Sequence, residues 1–205
     1  PMRTSSEIET ISKRATRAAG FPWGIAEEIG KNIKTLELLS LTGIENLNLY
    51  LRSVKGKQAH GPKEICANNK LESAAYCPFY TGSALLDSAN KVEVISNLTF
   101  HYVNFPILLI PFLNRLSEKI GKKILLRIDD VNFLLNLNKF ISASKDFEGI
   151  VIESAKIVRI EVLENVNSFS EKIWDELYDL SSETFVEETD RLKENAAGAG
   201  LADND

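Results

Sequence analysis

This chain is poor in reactive and metal-binding residues. Its 205 residues include two cysteines, two histidines and one methionine. Cys66 and Cys77 are too few for the disulfide framework of a small secreted domain, and no charged start leads into an apolar run and a cleavage site. The expectation is a cytoplasmic protein, with Pro1 set aside ahead of a native start at Met2. His60 and His101 keep no ligand spacing with either cysteine, so neither a metal nor a cofactor is expected. The longest apolar run, 103–112, is broken by Asn104 and two prolines and is about half of the roughly 20 residues a bilayer span needs. A membrane role is therefore not expected. No phosphate-binding loop, dinucleotide fingerprint or Ser-His-Asp set can be assembled. No Arg/Lys stripe interleaved with aromatics appears either, and with a pI near 5.3 that excludes a nucleic-acid binder.

What is present is an ordinary globular composition, 44% hydrophobic and 26% charged, with charge distributed unevenly. Residues 160–205 hold 13 acidic and 3 basic side chains, whereas residues 1–159 hold 21 basic and 16 acidic. Ser6 and Glu9 have the form of a capping box ahead of Ile8, Ile11, Ala15 and Ala18, which predicts a helix over 7–19 closed by Gly20. Pro22 suits the start of a second helix whose stripe is Ile25, Ile29, Ile33 and Leu36, and the two should pack as an antiparallel hairpin. A third short helix follows over 44–52, and then a polar connection.

Beyond Tyr76 the pattern changes. A small-residue segment, Thr81-Gly82-Ser83-Ala84, reads as a helix start packed closely against something else. Val92–Ile95 and Leu98–Val103 read as strands. Leu109, Phe112, Leu113, Leu116 and Ile120 define a buried helix ending at Gly121. Segments 124–128, 132–137, 139–144 and 149–163 read as an antiparallel meander. Ser168–Leu180 and Ser182–Lys193 read as two acidic helices with Ile173, Trp174, Leu177 and Leu180 facing inward. The expected fold is α+β: an N-terminal helical hairpin, a central antiparallel sheet with a buried helix, and C-terminal acidic helices. Its expected divisions are a helical part (1–55), a connection (56–75), an α+β core (76–195) and a Gly/Ala-rich tail (196–205) docked on that core.

Three stretches carry a resemblance: Gly20–Gly30, the segment Cys77-Pro78…Gly82…Leu85…Asp87, and the ending Gly198-Ala199-Gly200-Leu201-Ala202-Asp203-Asn204-Asp205. Together they resemble a bacterial family catalogued as domain of unknown function 3726, over essentially the whole chain from Ser5. The resemblance implies a stand-alone bacterial cytoplasmic protein and no established activity.

Candidate site residues follow from chemistry. Trp23 and Gly24 at a helix start offer an aromatic wall beside approachable backbone and free amides, although a tryptophan plugging the hairpin is the plainer reading. Glu27 and Glu28 are about 100° apart on a helix, so only Glu27 or its neighbour serves a site. Cys77 is the one candidate nucleophile, ahead of a helix start whose amides would lower its pKa, but no histidine motif lies nearby as base. Arg191 would bind a carboxylate or pair with Glu187 or Glu188. Gly198, Gly200, Asp203, Asn204 and Asp205 would bind a cation or ammonium group, or latch the tail. The function expected is a small cofactor-independent enzyme or small-molecule-binding protein with a cleft where these three motifs meet. The alternative is a non-catalytic partner subunit or assembly factor of a metabolic enzyme that uses helices 168–193 and the tail as its partner-facing surface, or a homodimer through hairpin 7–39.

Overall fold

The structure, a computed structural model, describes residues 1–145 and 149–199. It divides into two compact units, residues 1–164 and the residues from Asn165 onward. The first unit is α+β and opens with α1 (Ser5–Ala18), α2 (Trp23–Leu38) and α3 (Gly43–Val54). A capping box starts α1, but it is formed by Thr4 and Glu7 rather than Ser6 and Glu9. The Glu7 amide donates to Thr4 Oγ1 at 3.1 Å and the Thr4 amide to Glu7 Oε2 at 2.8 Å. Thr4 fits the same spacing rule and lies earlier, so Ser6 is already inside the helix. Gly20, at φ +111°, reverses the chain, and α2 returns along α1 with Ile29, Ile33 and Leu36 buried. The helices cross tightly at Gly30, where a Cβ would stand 2.7 Å from the Glu9 carbonyl oxygen.

The sheet has strand order β1-β2-β6-β3-β4-β5, built from β1 (Asn68–Asn69), β2 (Asn97–Asn104), β3 (Ile124–Ile128), β4 (Val131–Asn136), β5 (Phe140–Ala143) and β6 (Ser154–Val162). All neighbours are antiparallel except β1 and β2. The expected meander holds only for β3, β4 and β5. β6 does not extend it but inserts between β2 and β3, because alternation along a strand fixes which face is buried and not which strand lies beside it. The strand expected at Val92–Ile95 is instead the end of α5 (Ala89–Ile95). Ala89 and Val92 are buried while Val94 is exposed, a helical face that so short a β-branched run does not reveal.

α6 (Ile110–Ile120), which follows a 3₁₀ turn at Pro106–Leu109, packs on the sheet, and α4 (Pro78–Asp87) packs on α6. Leu109, Phe112, Leu113 and Leu116 are fully buried, and Gly121 ends α6 in the left-handed region at φ +75°. Gly82 lets α4 lie directly on α6, since a Cβ there would come within 2.3 Å of Phe112 Cδ2. One sheet face, with Leu98, Phe100, Leu126, Phe133, Val158 and Ile160, belongs to the core. The other face carries Thr99, Arg127, Asn132 and Arg159.

In the second unit one helix, α7 (Glu171–Ala199), replaces the two expected. The hydroxyls of Ser181 and Ser182 both donate to the Tyr178 carbonyl, so these serines bond back onto the helix instead of breaking it. Ser170 Oγ accepts from the Ile173 amide at 3.3 Å, and the Phe169 ring stacks on Trp174 at 5.6 Å, a hydrophobic staple around the cap. Ile173, Trp174, Leu177 and Leu180, expected to face inward, are exposed. Among the described residues no helix is long and apolar enough to cross a membrane.

Candidate functional site

Cys77 precedes α4 as its N-cap, with Pro78 in the first turn. The segment before it is pinned to β2 through Tyr76, whose amide donates to the Tyr102 carbonyl at 2.7 Å and whose carbonyl accepts from the Asn104 amide at 3.0 Å, while the Cys77 amide donates to the His60 carbonyl, in the loop after α3, at 2.7 Å. The side chain is 2% exposed. Burial pushes the thiol pKa up, against the lowering effect of hydrogen bonds from Tyr50 and from the amides of Tyr80 and Phe79. Tyr50 is itself buried and its hydroxyl pKa is also raised, first by burial and then by Cys77. The thiol therefore sits protonated in an aromatic-walled core at neutral pH, with helix amides that only partly offset desolvation.

The wall includes Phe21, Tyr50 and Phe79. Phe21 lies 5.0 Å edge-on to Phe79 and 5.6 Å from Tyr80, and Tyr50 lies 5.1 Å edge-on to Phe79. The α1–α2 corner thus meets the Cys77 segment, but through Phe21 and not through Trp23. Trp23 is 53% exposed, so it does not plug the hairpin. Its ring lies under the Arg17 guanidinium at 5.5 Å, and Arg17 Nη1 also donates to the Phe21 carbonyl at 3.1 Å. Gly24 is exposed with open space around it, so no group approaches its backbone. Glu27 is exposed. Its neighbour Glu28 is half-buried, and its Oε1 lies 3.0 Å from Arg115 Nη2 at an angle that leaves the N–H without a hydrogen bond.

Arg191 lies on α7, exposed, and forms no ion pair with Glu187 or Glu188 among the described residues. Gly198 falls in the last turn of α7. Gly200, Asp203, Asn204 and Asp205 lie outside the described residues, as does any docking of the tail.

Sequence reasoning passed over Phe21, Tyr50, Arg127 and Arg159. Alternation does place Arg127 in Ile-Leu-Leu-Arg-Ile and Arg159 in Ile-Val-Arg-Ile on the outer sheet face, but their meeting depends on the β3–β6 register. Among the described residues no group of three His, Cys, Asp or Glu side chains has metal-binding geometry. Among the described residues the groups that shift the Cys77 pKa are Tyr50 and the amides of Tyr80 and Phe79, with no histidine, carboxylate or lysine among them.

Residues 3–83 match a family model described as "Protein of unknown function (DUF3726)". The match covers α1 to α3, β1, the Gly20–Gly30 stretch, Cys77 and the first turns of α4, and leaves strands β2 to β6 and α7 outside it. No curated protein and no solved structure matches the chain.

Proposed function

We propose that this chain, a member of that family through residues 3–83, works by binding another protein, with α7 as the docking element. The observation that carries this reading is the apolar stripe of α7. At 3.6 residues per turn, Ile173, Trp174, Leu177, Tyr178, Phe185 and Leu192 share one side, and all of them are exposed. Apolar patches of more than a few hundred Å² are rare on monomer surfaces that have no partner. The helix also carries nine carboxylates against three cations, with Asp175, Asp179, Glu183 and Asp190 on the opposite side.

Those charges select the occupant. A partner groove with an apolar floor and a Lys/Arg rim complements both sides of the helix, in the helix-in-groove mode. An anionic lipid surface is disfavoured, because interfacial helices carry cations on their polar face. The encounter is proposed to take place in the cytoplasm, where Cys66 and Cys77 remain thiols.

The test is capture on the immobilised full chain, followed by purification of the captured protein and a measured dissociation constant. Trp174→Asp with Leu177→Asp should weaken binding at least a hundredfold while the circular dichroism of the chain stays intact, since central aromatic anchors each contribute about 2 kcal/mol or more. Binding that survives the double variant sinks the proposal. A wild-type chain that instead forms a dimer abolished by the same variant replaces it with self-association.

A further inference from the structure

We propose that the open face of the sheet holds a phosphate monoester between Arg127 and Arg159. Thr99, Arg159, Arg127 and Asn132 are successive register partners across β2, β6, β3 and β4, so they form one row on one face. Directly opposed positions in an antiparallel pair bring Cα atoms to about 4.5–5.5 Å, and two like charges placed there repel. Among the described residues neither guanidinium makes an ion pair or a hydrogen bond. Both are exposed.

The pair lines a depression of about 380 Å³ together with Asp129, Asp130, Asn132 and Ile157. Its two carboxylates are engaged elsewhere. Asp129 Oδ1 accepts from the Lys156 amide at 3.1 Å and the Ile157 amide at 3.0 Å. Asp130 pairs with Lys145 Nζ at 2.9 Å, and that hydrogen bond holds its carboxyl below the usual range. Glu161 lies in a separate depression of about 140 Å³ on the other side of the arginines. The larger depression therefore presents two unspent guanidinium forks, an amide from Asn132 and an apolar wall at Ile157.

Charge and geometry pick the ligand class. A phosphate monoester carries about −1.5 to −2 at pH 7 and three acceptor oxygens, enough to neutralise and bridge both forks. A monocarboxylate neutralises one. Ile157 and the volume beside it leave room for the carbon part of a small metabolite. This inference does not depend on α7 or on a protein partner.

The experiment is calorimetric titration of the full chain, at low ionic strength, with inorganic phosphate, glycerol 3-phosphate and acetate. Variants are Arg127→Gln, Arg159→Gln and, as a control on α3, Arg52→Gln. Saturable one-site binding of both phosphate compounds is expected, weakened at least tenfold by either of the first two substitutions and unchanged by the third, with acetate at least tenfold weaker. A ligand-free readout runs beside it: Arg159→Thr should raise the melting temperature in the absence of phosphate, and saturating phosphate should close the gap. Absence of saturable binding, equal binding by Arg127→Gln, or acetate binding as tightly as phosphate overturns the proposal.

Discussion

Replacing Gly82 by alanine isolates the packing that places the Cys77 segment. Alanine is the better helix former, and in the interior of α4 the exchange alone should stabilise by about 1 kcal/mol. The added Cβ would stand 2.3 Å from Phe112 Cδ2, 2.5 Å from Cγ and 3.0 Å from Cβ. Carbon atoms pack at about 3.5–4.0 Å, so two of these contacts are about 1 Å too short. Phe112 is fully buried in α6 and has nowhere to swing. Overpacking of this kind costs about 1–3 kcal/mol, and contacts this short belong at the upper end. The net expectation is a loss of about 1–2 kcal/mol, or a fall in melting temperature of about 2–8 °C for a unit of this size. Scanning calorimetry and urea titration measure it. Gly24→Ala is the internal control, because its Cβ meets nothing within 4 Å; it should be neutral or slightly stabilising. If Gly82→Ala matched the control, the close approach of α4 and α6 would be wrong, and with it the position of Cys77.

Thiol labelling gives a second expectation: in the native chain at pH 7 the exposed Cys66 alkylates, and Cys77 stays protected until the chain unfolds. Rapid native labelling at position 77 would contradict its burial. The pH dependence has a definite sign. Because the folded pKa of Cys77 is raised, the unfolded chain loses that proton first, so stability falls as pH rises past the unfolded value of about 8.5, and the raised Tyr50 adds to the fall above about 10. Urea midpoints between pH 7 and 10 should show it, with a shallower decline in Cys77→Ala referenced to its own pH 7 value; a flat profile refutes the assignment. Glu28→Gln should cost about 1 kcal/mol or less by leaving the half-buried Arg115 without its counter-charge, read as a lower urea midpoint, and an unchanged midpoint would show the pair to be idle.

Periodicity made α2 and α6 legible because each has one buried apolar stripe, whereas α1 buries Ser12 and Thr16 and leaves Ile11 and Ala18 of its expected stripe exposed; Gly20 and Gly121 mark ends with positive φ. It located β3, β4 and β5 for the same reason. What it left out was which strand lies beside which: β6 between β2 and β3 is a long-range pairing that no local pattern encodes. Phe21 shows the same limit on the scale of one residue. It and Trp23 flank Pro22 in a short turn, and either aromatic fits the corner; only the three-dimensional path turns Phe21 inward against Phe79 and leaves Trp23 under Arg17. For α7 the apolar positions were legible and the inference drawn from them was not, since amphipathicity says that a face needs covering without saying what covers it.

Hydrogen exchange of the α7 amides tests the central claim most directly, comparing the full chain alone with the chain bound to its purified partner. If α7 is the docking element, amides from Ile173 to Leu192 slow by at least tenfold in the complex while those of β3 and β6 stay as they were. Unchanged exchange along α7 in a formed complex would contradict it.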